Sequence, residues 1–359
     1  MRKRVLITGG CGFVGHHVVE HFLKNTDWDI VIFDRLSYSS SGYDRLRDVD
    51  AFDNARVSIY PVDLCLGVSE GVEKEVGKIN YILHIAAESH VDNSIIAPVN
   101  FILNNVKSTL TMLEYARKLL PELFINFSTD EVYGPAPEGK SFKEYEYHAP
   151  SNPYAASKSA QESIGIAYAN TYKVPVITTH TMNVFGERQH SEKFIPLVIQ
   201  KVLFAEKIYI HSNKEKTKAG SRYYIHARNV AAALLHIINM GYHGYEEWNI
   251  AGEQEVDNLG MALKIATIIG SPLHYKLVDF HSSRPGHDLR YALDSTKLLS
   301  SGFHYPKDFN DSLKKTVLWT LKNKQWLGQV SDGQVGSIPD EAEAGEEPKQ
   351  KIRVCVPEN

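Results

Sequence analysis

The sequence predicts an α/β fold: a doubly wound parallel sheet with a smaller C-terminal lobe. Two patterns carry that expectation. Short apolar runs suited to buried strands recur through the first half of the chain, at Val5-Leu6-Ile7, Ile30 to Phe33, Val57 to Val62, Tyr81 to Ala87, Leu123 to Phe127 and Val174 to Thr179. Segments with apolar residues at helical spacing separate them, and such alternation implies parallel strands joined by helical crossovers. With 359 residues, 43% of them hydrophobic, the chain can build one large α/β unit or two fused lobes.

The first strand runs into Thr8-Gly9-Gly10-Cys11-Gly12-Phe13-Val14-Gly15, followed by a helix marked by Val18, Val19, Phe22 and Leu23. Gly9, Gly12 and Gly15 form a GxxGxxG variant of the dinucleotide fingerprint. Glycines let the backbone approach a pyrophosphate, which then rests on the helix N-terminus. The second strand ends in Asp34, about 20 residues on, where a carboxylate for the adenine ribose is expected. Asp34 favours NAD over NADP because it repels a 2′-phosphate; Arg35 beside it pulls the other way. Asp63 closes the third strand and either caps the adenine edge or begins a turn. Small Ala86 and Ala87 end the fourth and let a cofactor lie close. His84 within it reads as a packed core residue. Ser89 to Asp92 continue into a loop that faces the site. Ile102 or Leu103, Val106, Leu110 and Leu113 mark an amphipathic helix. These features together give a Rossmann-like unit.

Chemistry concentrates at Ser128-Thr129-Asp130-Glu131-Val132-Tyr133-Gly134. Thr129, Asp130 and Glu131 leave a buried strand at its C-terminal end, where open α/β sheets bind ligands. Two adjacent carboxylates can be parted by their surroundings, one protonated as an acid and one ionised as a base. Tyr154 and Lys158 lie one helical turn apart, and a lysine charge beside a phenol favours the phenolate. After the helix to about Tyr172, the alternation loosens. Glu192 to Pro196 open a helix, Lys214, Lys216 and Lys218 sit in a polar loop ending at Arg222, and Asn229 is placed to cap a helix from Val230 to Met240. The segment Arg284 to Asp288 is turn-rich, and a last helix covers about Leu313 to Trp326. Beyond Gly328 a polar stretch with an acidic cluster reads as a disordered tail.

Over roughly residues 3 to 325 the chain resembles the extended short-chain dehydrogenase/reductases, and within them the nucleoside-diphosphate-glucose 4,6-dehydratases. The resemblance rests on Thr8–Gly15, Ala86 to Asp92, Ser128–Gly134, Asn152-Pro153-Tyr154 through Lys158, Glu192 to Pro196, and Arg284–Asp288 with Arg290-Tyr291. It implies that Tyr154, with Lys158 and Thr129, takes the sugar 4-hydroxyl proton as C4 is oxidised. Glu131 then removes the C5 proton, Asp130 protonates the departing 6-hydroxyl, and hydride returns to C6. NAD is thus a recycled cofactor. The implied cofactor site comprises Gly9, Gly12, Phe13, Val14, Gly15, Asp34, Leu36, Ser37, Asp63, Leu64, Ala86, Ala87, Ser128, Tyr154 and Lys158. The implied nucleotide-sugar contacts are Ser89, Asn183, Glu192, Lys193, Arg222, Asn249, Arg284 and His287. Residues 1–185, with a return of 223–250, would hold NAD; 186–222 and 251–327 would form the substrate lobe, and 328–359 the tail. The family further implies a homodimer. The loop from Lys214 to Gly220 and the pair Arg228-Asn229 depart from the family pattern.

Other classes fit less well. Net charge is −4 with no basic stripe, which argues against a nucleic-acid or membrane-surface partner. Cys11, Cys65 and Cys355 form neither a zinc spacing nor a disulfide framework, so no metal is expected. The N-terminus leads straight into a strand and no run of eighteen apolar residues exists, so a cytoplasmic protein is expected. A sugar-nucleotide 4-epimerase or decarboxylase of the same fold has no C6 hydroxyl to expel and no need of adjacent Asp and Glu. A non-enzymatic NAD-binding regulator would not need the acid pair or the Tyr/Lys pair. Thymine and uracil nucleotides differ by a methyl group, and no residue chooses between them.

Overall fold

The central sheet has seven strands in the order β3-β2-β1-β4-β5-β6-β11, so the direction in which the chain adds strands reverses between β1 and β4. The structure is a computed structural model that describes residues 2–242, 244–279 and 289–328. The seven strands are Arg4–Thr8 (β1), Asp29–Asp34 (β2), Val57–Pro61 (β3), Tyr81–His84 (β4), Leu123–Thr129 (β5), Val176–Thr181 (β6) and Tyr245–Ile250 (β11). All neighbours pair in parallel, with Ile7 opposite both Ile32 and Leu83. β1, β2 and β4 are covered on both faces and buried almost throughout, which is why their apolar runs do not alternate, whereas the edge strand β3 is half exposed.

Helices cover both faces. On one side α1 (Phe13–Asn25) and α8 (Ala227–Met240) close a core that includes Val18, Phe22, Leu234 and Ile238. On the other, α5 (Pro98–Leu119) and α6 (Pro153–Tyr172) pack as a pair, with Met112, Leu113 and Ala169 against Phe124 and Ile82. The sequence's doubly wound architecture is therefore the one observed. Crossovers leave β1 toward β2 on one side and reach β4 on the other, so a crevice opens above the C-terminal ends of β1 and β4.

A separate apolar core lies in the C-terminal part. It joins α7 (Phe194–Leu203), β8 (Ile208–Ser212), α9 (Asn258–Ile269), β13 (Tyr275–Asp279) and the last helix, Phe309–Lys322. β8 and β13 pair in parallel, and β9 (Ser221–Tyr223) pairs antiparallel with β12 (Glu255–Asp257). Residues 2–328 nevertheless belong to one compact unit.

Some local readings change. The strand before the acid pair extends through Thr129, and the last helix begins at Phe309 and ends at Lys322. Asn229 does not cap α8. The helix starts at Ala227 because β10 (Ile225–His226) pairs with Val184–Phe185 and hands directly into it. His226 is the cap, its Nδ1 accepting from the Arg228 amide at 3.1 Å. Asn229 instead exchanges two hydrogen bonds with the Lys307 backbone. The expected tail lies outside the described residues, and no described helix is long and apolar enough to cross a membrane.

Candidate active site

The crevice above β1 and β4 is a cleft built by the glycine turn. Gly9 has φ +71°, a left-handed conformation that suits glycine, and its N–H donates to Phe33 O at 2.8 Å. A Cβ on Gly15 would lie 2.0 Å from Gly9 O, so only glycine lets α1 start this close to the turn. Gly12 caps α1 with no side-chain acceptor, and no acid occupies the first turn. Uncapped N–H groups at a helix start suit an anionic pyrophosphate. Asp34 stands at the end of β2, with Oδ2 accepting from the Cys11 amide and Oδ1 from the Leu36 amide, at 2.9 and 2.8 Å. Burial raises its pKa above the ordinary range. The residues present therefore fit a dinucleotide.

Gly9, Gly12, Phe13, Val14, Gly15, Asp34, Ser37, Asp63, Leu64, Ala86, Ala87, Tyr154 and Lys158 all line this cleft. Asp63 also begins a turn, its Oδ1 accepting from the Cys65 amide. Two expected residues do not line it. Leu36 packs against the apolar core and gives its N–H to Asp34. Ser128 turns its hydroxyl under α6 onto Glu162 Oε1.

Beyond the cleft, β5 ends in a 3₁₀ turn, Asp130–Tyr133. Thr129 Oγ1 donates to Asp130 Oδ1 at 3.0 Å and accepts from the Glu131 amide at 3.4 Å. Asp130 is 4% exposed. Burial, and next the charge of Glu131, push its carboxyl up to about 7, against the pull of Arg222 and Thr129. Asn152, before Pro153, had no assigned role. Its Oδ1 caps α6 by accepting from the Ala155 amide, and its Nδ2 donates to Glu131 Oε2, both at 2.9 Å. An asparagine just ahead of a proline at a helix start signals the cap; nothing local signals the second bond.

The surroundings of Tyr154 act against the expected phenolate. Burial and the Glu131 charge raise the phenol above its ordinary value, and only the Thr129 hydrogen bond lowers it. Lys158 spends its ammonium on Phe127 O at 2.7 Å, and burial lowers its pKa to about 8.

Ser89, Glu192 and Lys193 line the same cleft, with Lys193 Nζ donating to Ser89 O at 3.1 Å. Arg222 is buried, its Nη1 bonded to Ser221 O and Leu289 O and its guanidinium 4.5 Å over the Tyr291 ring. Asn183 is exposed, outside the cleft lining. Asn249 is fully buried, its Nδ2 donating to Phe142 O and Asp294 O. Arg284 and His287 lie outside the described residues. Behind the acid pair, Glu162 Oε2 faces His180 Nε2 at 2.9 Å and His148 Nε2 at 3.4 Å. Burial opposes the His180 charge, but Glu162 wins and raises its pKa. These three could gather round a metal ion, their ligand atoms lying within 4.8 Å of one another; hydrogen bonds within the protein already engage them.

Residues 5–251 match the model of the NAD dependent epimerase/dehydratase family. The chain is 33% identical to the dTDP-glucose 4,6-dehydratase of Escherichia coli, over 92% of this chain and 97% of that one. It is 34% identical to the probable dTDP-glucose 4,6-dehydratase of Sinorhizobium fredii, over 92% and 96%. The crystal structure of the dTDP-glucose 4,6-dehydratase of Streptomyces venezuelae with NAD bound superposes with a TM-score of 0.81 at 31% identity, covering 90% of this chain and 99% of that one. The UDP-glucose 4-epimerase of Thermus thermophilus, also with NAD, gives 0.77 at 26% identity, covering 91% and 100%.

Proposed function

The chain belongs to the NAD dependent epimerase/dehydratase family, and from that premise we propose that it is an NAD-dependent nucleoside-diphosphate-glucose 4,6-dehydratase acting on dTDP-glucose. The observation that carries the reading is the acid pair. Asp130 and Glu131 follow one another on a turn that Thr129 and Asn152 fix, and Asp130 is held as an acid near neutral pH. Elimination of water across C5 and C6 needs one group to take a proton and one to give it.

When bound, NAD+ supplies the hydride acceptor for C4 and the donor for C6. Tyr154 moves the 4-hydroxyl proton. Burial and the Glu131 charge hold its phenol above the ordinary value. Thr129 steadies its oxygen. Glu131, oriented by Asn152, takes the C5 proton that the 4-ketone has acidified. Asp130 gives its proton to the leaving 6-hydroxyl. Each such transfer by a placed group contributes about 10²–10⁴-fold.

In this reading residues 1–185 with 223–250 hold NAD, and 186–222 with 251–327 hold the sugar nucleotide; the separate C-terminal core supports the division. Ser89, Glu192, Lys193 and Arg222 are the described residues assigned to the nucleotide sugar. The protein works as a homodimer in the cytoplasm, where the free thiols Cys11 and Cys65 stay reduced.

The test is incubation of the purified protein with dTDP-glucose and with UDP-glucose in parallel. The 4-keto-6-deoxy product, read by its absorbance in alkali, should form from dTDP-glucose. Formation of a galactose epimer without that absorbance would replace the reading with epimerisation. Faster turnover of UDP-glucose would keep the chemistry and change the base.

A further inference from the structure

Asp34 and Arg35 stand side by side at the cofactor cleft and both line it. A carboxylate there excludes the 2′-phosphate of a phosphorylated dinucleotide, whereas a guanidinium accommodates it. The chain therefore carries both instructions at one place. The structure shows which one is in force. Arg35 Nη2 is ion-paired with Glu88 Oε1, and Arg35 Nη1 donates to Asn104 Oδ1 at 2.8 Å.

Glu88 comes from the loop after β4 and also lines the cleft. Its backbone is clamped on both sides by Asn105. The Glu88 amide donates to Asn105 Oδ1 at 2.8 Å, and Asn105 Nδ2 donates to Glu88 O at 3.0 Å. Asn105 is fully buried in α5, and Asn104 Nδ2 donates to the same Asn105 Oδ1 at 3.1 Å. Two consecutive residues of one helix thus fix both acceptors that engage Arg35. The Arg35 side chain is 36% exposed, and both acceptors it engages are held by groups the fold has placed.

We propose that Glu88 is a specificity-determining residue for the cofactor: by occupying Arg35 it makes the ribose end of the cleft accept NAD and reject NADP. The proposal rests on the reading of this cleft as a dinucleotide site. With Glu88 in place, two carboxylates face one guanidinium, and an added phosphate meets net negative charge. A phosphate competes well for a guanidinium fork only where the fork is not already neutralised.

The experiment compares five proteins purified as they fold in the cell: wild type, Glu88→Gln, Glu88→Ala, Arg35→Ala and the Glu88→Gln/Arg35→Ala double variant. Heat denaturation releases the bound nucleotide, and mass spectrometry gives the NADP(H) share relative to NAD(H). Wild type should carry NAD(H). Glu88→Gln is nearly isosteric but uncharged, and should raise the NADP(H) share by about tenfold. The double variant should return to the wild-type share, because the gain works through Arg35. Glu88→Ala should move the share in the same direction as Glu88→Gln. An unchanged share in both Glu88 variants overturns the proposal. So does a gain that survives removal of Arg35, which would be charge relief without a latch. Wild-type protein carrying no dinucleotide would instead sink the cofactor reading and the proposal with it.

Discussion

At the scale of single residues, Asp130 is the group whose surroundings act most directly on its chemistry. Its folded pKa, about 7, lies above the ordinary 3.8 because burial and Glu131 disfavour the ion. The protonated form therefore contributes stability that is complete below the ordinary value and is lost as pH rises through about 7. Asp130→Asn cannot ionise. Its melting temperature should match wild type near pH 4 and exceed it progressively toward pH 8, by up to about 4 kcal/mol of stability. Melting curves between pH 4 and 8 check this, and a constant difference would show that Asp130 is not raised. Glu131 is tested by Glu131→Gln, which keeps size and hydrogen bonding but removes the base. Oxidation at C4 depends on Tyr154, so bound NADH should accumulate on adding substrate. Exchange of the C5 proton with heavy water should nearly vanish, and product formation should fall at least ~10²-fold. Exchange at the wild-type rate would remove Glu131 from the role of base.

At the scale of elements, the site joins the end of β5 to the start of α6, and Asn152 makes the joint. Asn152→Ala should lose the cap, about 1 kcal/mol of stability, and also the bond that orients Glu131. Asn152→Asp keeps a capping oxygen but sets a second carboxylate beside Glu131. Stability near wild type with a turnover number reduced about tenfold or more is the expected pairing for Asp; equal turnover in all three proteins would deny Asn152 a part in positioning. The same joint explains what was legible beforehand. Gly9, Gly12, Gly15 and Asp34 act through local backbone geometry, so spacing along the chain finds them. Asp130 and Glu131 are contiguous and were found as a pair. The Asn152 to Glu131 bond spans 21 residues and exists only once β5 and α6 pack. Ser128 turns away from the cleft lining for a directional reason. It shares a face of β5 with Phe124, which packs in the core on the α6 side, so its hydroxyl meets Glu162 there. For Asn249, residue type alone did not reveal the two interior carbonyls that claim its amide nitrogen.

At the scale of the whole molecule, the sheet and its two covering layers followed from periodicity, while the extent of the C-terminal core did not, because β9, β10 and β12 are too short to show alternation. One feature of the outer layer is unspent by the folded chain. α5 buries Phe101, Asn105, Thr109, Met112 and Ala116 toward its own protein. Its other face exposes Val99, Leu103 and Leu110, with Ile96 just ahead of the helix, at 67, 59, 41 and 80%. Within α5, spacings of four and seven residues put Val99, Leu103 and Leu110 on one stripe, and Ile96 ends the preceding short helix. A contiguous exposed apolar stripe marks a contact surface, and α6 beside it adds Tyr172, also exposed. A two-fold pairing lets the stripe cover itself with an identical copy. Sedimentation at micromolar concentration should give twice the 40.4 kDa chain mass. The double substitution Leu103→Glu with Leu110→Glu should shift the protein to the chain mass while leaving its circular dichroism unchanged, since both residues face away from the core. A wild-type monomer at that concentration, or a variant that still dimerises, would place the interface elsewhere or deny it.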